Sequence, residues 1–157
     1  MGLALCSIAV MLPAMRALAH HSFAMYDRSI TYVFTGVVDS INPDPAHLQI
    51  VFVPLNDARD ALVRNPAGER VSWSVEMEGA AASAREGISQ GSFPRGTVFS
   101  IGLTPLRNGS PGGVRVQGLY KCPQGKAPAA GKHCDSVEGA THHGEGELAV
   151  PNKTWAP

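Results

Sequence analysis

The chain has 157 residues, of which 13 are Lys or Arg and 13 are Asp or Glu, so its formal net charge is zero. This length is enough for one domain with its own hydrophobic core. Because the charge is balanced, the composition excludes the strongly basic footprint of a nucleic-acid-binding domain, and we expect no nucleic-acid partner.

The chain starts with an apolar segment that resembles an export signal. Residues 1–18 are almost wholly apolar, and Ala17-Leu18-Ala19 matches the small-x-small pattern of a secretory cleavage site. We therefore interpret residues 1–19 as a signal peptide and expect a periplasmic or secreted protein, exported in the Gram-negative bacterial manner. The apolar run is too short for a membrane span, so we expect none in the mature chain.

Residues 20–120 predict a small β-barrel domain. Five segments are rich in β-branched and aromatic residues or alternate apolar with polar side chains, as strands do: residues 30–41, 47–55, 70–77, 97–103 and 114–120. The helix-favouring sequence of residues 80–86, followed by Gly87, predicts a short helix between the third and fourth strands. This order is that of the five-stranded Greek-key barrel of the OB type, although an open sandwich could use the same strands.

The strand pattern also predicts which side chains face the core. Gly36 lies in the middle of the first strand, where glycine is typical of a bulge or coil. The predicted inward-facing side chains of the third, fourth and fifth strands are Val71, Trp73, Val75 and Met77, then Phe99, Ile101 and Leu103, then Val114 and Val116.

Residues 121–157 are rich in Gly, Pro, Ala and His and lack apolar periodicity, which predicts an irregular loop and a mobile tail. Cys122 and Cys134 are the two cysteines left after removal of the leader. In an oxidising compartment this pair predicts a disulfide. Zinc binding with the neighbouring His133 is the weaker alternative, because the close C-x-x-C spacing is missing. Trp155 is either disordered or a docking anchor.

Several of these residues resemble a secreted bacterial family known only as a domain of unknown function. Its members combine a cleaved leader, a mature His-His-Ser-Phe start, a glycine-containing first strand and a Trp-x-Val-Glu strand. The corresponding residues here are His20-His21-Ser22-Phe23, Phe34-Thr35-Gly36-Val37-Val38 and Trp73-Ser74-Val75-Glu76. The family's Asn-Pro-His-Ala turn becomes Asn42-Pro43-Asp44-Pro45-Ala46-His47, so the histidine is displaced. The resemblance implies export and a small OB-like barrel, and it supplies no activity.

Cleavage after Ala19 would make His20 the first residue, and this predicts a copper(II) site. One arrangement uses the α-amine and the His20 ring, completed by another imidazole, for which His47 is the best candidate. A second uses the α-amine, the intervening amide nitrogen and the His21 ring. Met25 could offer a thioether to copper(I). The alternative is that His20 and His21 are solvated residues with no ligand.

Two other groups of polar residues are weaker candidates for a functional site. Glu76 and Glu78 lie on one strand face, which suits solvent exposure better than acid–base chemistry, although Glu76 could join a metal site if the N-terminal segment crosses that face. His142, His143, Glu145 and Glu147 could form a loose metal-binding tail, with a solvated tail as the alternative.

The sequence leaves three functions open. The first is an exported module that binds copper without catalysis. The second is a structural or interaction module in the same compartment that holds a protein or peptide. The third is a copper enzyme. It ranks lowest because the predicted strand faces offer no surface of exposed aromatic side chains that could bind a substrate. We assign no catalytic residue.

Overall fold

A computed structural model describes residues 23–156. Single 3₁₀ turns at Phe23–Met25 and Cys134–Ser136 accompany six strands and one short α-helix in this part of the chain. In chain order, the strands and helix are β1 Tyr32–Pro43, β2 Leu48–Pro54, β3 Trp73–Glu76, α1 Ala80–Arg85, β4 Val98–Pro105, β5 Gly112–Lys121 and β6 Thr141–Leu148.

The first five strands form a closed barrel. Antiparallel pairing runs from β3 through β2 and β1 to β4 and β5, and β5 then pairs in parallel with β3 to complete the ring. With α1 between β3 and β4, this is the OB-type Greek-key order that the sequence predicts. All five predicted strands form, and their observed ends differ from the predicted ends by a few residues.

The barrel interior contains the predicted apolar faces of β3 and β4. Trp73, Val75 and Met77 are buried, as are Phe99, Ile101 and Leu103, while Val71 packs against the core from its edge. Alternate side chains of a strand point to opposite faces, so the alternating pattern predicted these positions. Phe34 and Phe52 from β1 and β2 complete the aromatic centre, with their ring centroids 5.8 Å apart.

The fifth strand departs from its predicted face. Val114 and Val116 were expected to face the core, but both are only partly buried, and Leu119 is the large core side chain of β5. A register shift opposite Ile101 and Gly102 inserts extra residues here, and Gln117 has a left-handed φ of 60°. Val114 and Val116 pair with Thr104 and Gly102, which alternate with the inward-facing Leu103, so both valines lie on the opposite face of the sheet.

The segment after Tyr120 is more ordered than the sequence predicts. Its loop is irregular as expected, and the predicted disulfide between Cys122 and Cys134 is present. However, residues 141–148 form β6, a strand that the sequence did not predict and that pairs with β5. The pattern missed β6 because its residues do not alternate between apolar and polar, and because Gly144 and Gly146 have left-handed φ values.

Trp155 docks on the barrel. Its ring centroid lies 5.5 Å from that of Phe34 and 5.6 Å from that of Trp73, and both contacts are edge-to-face. Asn152 holds the same segment through three hydrogen bonds: its backbone N–H donates to Thr31, its side-chain oxygen accepts from the Thr31 N–H, and its amide group donates to Ser29. Of the two sequence interpretations of Trp155, the docking anchor is the one confirmed.

Among residues 23–156, no helix has the length and apolar character needed to cross a membrane.

Gly36 allows two strands to approach closely, and its replacement tests the packing. A Cβ at this position would lie 2.6 Å from Phe52 Cδ2 and 3.0 Å from the Val53 carbonyl oxygen. We expect Gly36→Ala to lower the free energy of unfolding by about 1–3 kcal/mol, because the core must shift to admit the methyl group. Urea denaturation measures this change. Gly91→Ala is the matched control, since its Cβ would only contact Ser89 Oγ at 3.8 Å. Equal stability of the two variants would contradict the packing argument.

The disulfide links the end of β5 to the loop that precedes β6. The two half-cystines are 12 positions apart in the chain. In the chain-entropy view, closing a loop of this size stabilises the fold by about 3 kcal/mol. We therefore expect the Cys122→Ser, Cys134→Ser double variant to unfold at lower urea concentration than the oxidised protein. Oxidised and reduced wild-type protein with the same denaturation midpoint would argue against this contribution.

Candidate functional site

The N-terminal segment, defined here as residues 23–27, is hydrogen-bonded along the end of β4. Arg107 donates its backbone N–H to the Met25 carbonyl (2.9 Å) and its Nε–H to the Ala24 carbonyl (3.0 Å). The Asp27 N–H donates to the Pro105 carbonyl at 2.8 Å. These bonds give the segment a defined path across the barrel. Met25, the predicted thioether donor, is 41% exposed.

Tyr26 inserts from this segment toward the end of β3. Its side chain is buried, and its hydroxyl donates a hydrogen bond to Glu76 Oε2 at 3.3 Å. Burial, followed by the negative charge of Glu76, raises the pKa of Tyr26 to about 12. The hydroxyl therefore stays protonated at neutral pH and remains a donor to the carboxylate.

The second oxygen of the same carboxylate binds His47. Glu76 Oε1 lies 3.2 Å from His47 Nδ1, and the side chains of His47 and Glu76 are 34% and 21% exposed. Tyr26, Glu76 and His47 thus form one connected polar group, called here the Tyr26–Glu76–His47 cluster. It joins the N-terminal segment, β3 and the residue that precedes β2.

A tight turn sets the position of His47. Asp44 Oδ1 accepts the backbone N–H groups of Ala46 (2.8 Å) and His47 (3.1 Å). These two bonds lower the pKa of the Asp44 carboxyl group and keep it ionised as the turn's acceptor. Asp44, one of the two residues that displace the histidine relative to the turn of the resembled family, therefore helps to orient it.

Glu76 lies beside Nδ1 of His47, which is a position that a carboxylate also takes beside many metal-binding histidines. When Nδ1–H of a neutral imidazole donates to a carboxylate, the lone pair is on Nε2. Ligating histidines commonly have such a carboxylate on the other ring nitrogen, because it fixes the tautomer and raises the basicity of the ligand. Glu76 therefore suits a supporting role behind His47 better than acid–base chemistry with Glu78.

Glu78 has a different partner. Arg115 donates from Nη2 to Glu78 and from Nη1 to Glu86, both at 2.7 Å, and the Arg115 side chain is only 7% exposed. The two glutamates of the β3 face are thus held by separate groups. Glu78 contributes to a structural ion pair network, and the pair Glu76–Glu78 does not form a shared site.

The remaining histidines are also placed individually. His142 Nε2 contacts the Gly146 carbonyl, His143 Nδ1 contacts the Glu86 carbonyl, and His133 Nδ1 lies 2.8 Å from Thr35 Oγ1. The disulfide occupies both cysteines considered for zinc. Within residues 23–156, no group of three or more His, Cys, Asp or Glu residues is arranged to hold a metal ion.

The predicted ligands His20 and His21 lie outside the described residues, and so does the predicted signal peptide. Of the three predicted metal residues, His47 is the one whose surroundings can be examined. Sequence reasoning identified His47 and considered Glu76, but it missed Tyr26. The one available signal was the run of large apolar side chains at Phe23, Met25 and Tyr26, which is typical of a segment that packs on the core.

The hydroxyl of Tyr26 provides a direct test of the cluster. A group whose pKa is raised in the folded state favours folding below its unfolded pKa, and this contribution is lost as the pH rises toward about 12. We expect Glu76→Gln to lower the pKa of Tyr26, because the variant removes the negative charge. Ultraviolet titration of tyrosinate, with Tyr26→Phe subtracted to assign the signal, measures the shift. An identical titration in Glu76→Gln and wild type would show that the contact is absent in solution.

Comparison with known proteins identifies the family and no characterised relative. Searches of curated proteins and of solved structures gave no match. The model of a family of unknown function (DUF6152) matches residues 8–115, which is more than half of the chain and includes the Tyr26–Glu76–His47 cluster. The chain therefore belongs to this family of unknown function.

Proposed function

We propose that this protein is exported and binds copper(II) through its mature N-terminus and His47. The observation that carries the proposal is the Tyr26–Glu76–His47 cluster. Tyr26 follows the predicted first residue by six positions and is tied to the carboxylate that holds His47. The N-terminal segment is thereby directed to the same end of the barrel as a histidine with a carboxylate behind it.

Chain length supports this arrangement. An extended chain covers at most about 3.3–3.6 Å per residue, so the α-amine of His20 lies within about 20 Å of Tyr26. The amine, the His20 ring and His47 Nε2 would then supply three nitrogen donors, the donor type that favours tetragonal copper(II). An α-amine has a reference pKa of about 7.7–8.0, so binding is expected to strengthen from pH 6 to pH 8 as the amine loses its proton.

The competing arrangement of the sequence analysis remains testable. In it, copper is held by the α-amine, the backbone amide and the His21 ring, with no part for His47. The placement of His47 beside the docked N-terminal segment favours the first arrangement. The role we propose is to carry or buffer the metal, with no catalytic step.

Copper titration of protein with a verified N-terminus tests the proposal. Intact-mass analysis first establishes that the exported protein begins at His20. We expect stoichiometric copper(II) binding with a nitrogen-rich electron paramagnetic resonance spectrum. His47→Ala should weaken binding by about tenfold or more, and Glu76→Gln by a factor of about ten, as is typical when the partner behind a ligating histidine is lost. One alanine placed before His20 should remodel the spectrum.

His142→Ala is the matched control, because this exposed histidine lies on β6 and is not part of the cluster. Circular dichroism establishes that each variant is folded. If the alanine extension and a His20→Ala, His21→Ala double variant bind copper like the parent, the proposal fails and the interaction module becomes the leading function. If His47→Ala leaves copper binding unchanged while the changes at the N-terminus weaken it, the planar chelate through His21 replaces the first arrangement.

A further inference from the structure

A cavity of about 640 Å³ lies between the loop after β2 and the C-terminal segment. This volume is in the range of cavities that take small organic ligands. It is lined by the start of β1, by residues 54–57, 59 and 62–64, by Gly131 and His133, and by residues 151–156 apart from Asn152. The Tyr26–Glu76–His47 cluster lines no part of it.

Apolar and aromatic side chains form much of the wall. Val33 and Phe34 come from β1, Leu55 and Leu62 from the loop after β2, and Trp155 from the C-terminal segment. Trp155 is fixed by its contacts with Phe34 and Trp73 and by the hydrogen bonds of Asn152. The cavity is therefore a built feature of the fold with a rigid aromatic side.

Positive charge predominates among the lining residues. Arg59, Arg64 and Lys153 contribute three cations, and Asp57 is the one carboxylate among the residues that line the cavity. Burial and the nearby Arg59 lower the pKa of His133, so this histidine is neutral at neutral pH. Arg64 and Lys153 are exposed, whereas Arg59 is partly buried.

Arg59 is held in place by the backbone around it. Its Nε–H donates to the Lys132 carbonyl and its Nη1 to the Asn56 carbonyl, both at 2.9 Å. The residue has a φ of 63°, in the left-handed region that non-glycine residues seldom adopt. Among residues 23–156, none of the hydrogen bonds of Arg59 uses Nη2, which leaves this nitrogen to a ligand. A positioned guanidinium is the usual partner of a carboxylate or sulfonate.

We propose that this cavity binds a small organic anion with an apolar body and one acidic head group, such as a carboxylate. The body would pack against Phe34 and Trp155, and the head group would pair with Arg59 near Lys153 and Arg64. The site is independent of the proposed copper site. Part of its wall, namely Gly131, His133 and residues 151–156 apart from Asn152, comes from outside the family match at residues 8–115.

Fluorescence of anilinonaphthalene sulfonate, itself an apolar anion, provides the assay on the exported protein. We expect saturable binding of one dye molecule and displacement by decanoate or naphthoate. The comparison between these two acids distinguishes an alkyl body from an aryl body. Decyltrimethylammonium has the same alkyl chain as decanoate and the opposite charge, so it should displace the dye far more weakly.

Charge variants locate the binding. Arg59→Gln should weaken decanoate or naphthoate binding by about tenfold or more, because a charge-assisted hydrogen bond is lost. The Arg64→Gln, Lys153→Gln double variant changes only exposed side chains, so it tests the charge while the buried core is left unchanged. Arg95→Gln is the matched control, since Arg95 is exposed and paired with Asp39.

Three results would overturn the proposal. The first is the absence of saturable dye binding by the folded protein. The second is equal displacement by decanoate, decanol and decyltrimethylammonium, which would show that the site does not recognise the charge. The third is unchanged acid binding in both Arg59→Gln and the double variant.

Discussion

The parallel contact between β3 and β5 is the constraint on which the other features depend. It pairs residues 74–76 of β3 with residues 112–114 of β5 and turns an open sheet into a ring. Gly112 allows this approach, because a Cβ at this position would lie 3.2 Å from Ser74 Oγ of β3. The next residue, Gly113, allows the close contact with β4, since its Cβ would lie 2.5 Å from the Thr104 carbonyl oxygen. Closure removes two exposed sheet edges and surrounds the aromatic core.

Closure also decides where the polar groups lie. Glu76 is the last residue of β3 and is paired with Val114, so the ring places its carboxylate at one end of the barrel. β2 separates the cluster from the cavity. His47 of the cluster precedes the first residue of β2, and Leu55 of the cavity wall follows its last residue. The seven residues of β2 span about 20 Å, so the cluster and the cavity are at opposite ends of one strand.

The core could be predicted from the sequence, and the sites only in part. The alternation of Trp73, Val75 and Met77 predicted the buried face of β3, because a strand with one buried face repeats every two residues. The same reasoning failed in β5, where Val114 and Val116 pair with Thr104 and Gly102 and therefore lie on the face opposite to that of Leu103. His47 was identified by its chemistry, but its link to Tyr26 joins residues that are distant in the chain and has no local signal.

Local sequence determined the succession of strands and helix along the chain and the turn that precedes His47, and it indicated the disulfide between Cys122 and Cys134. These follow from side-chain periodicity, propensity and turn chemistry, which act over a few residues. Tertiary structure alone decided that Tyr26 meets Glu76, that β6 adds to β5, and that Arg59 and Trp155 line the same cavity. These contacts form because the closed ring brings together segments that are far apart in the chain. A pattern of neighbouring residues contains no information about such contacts.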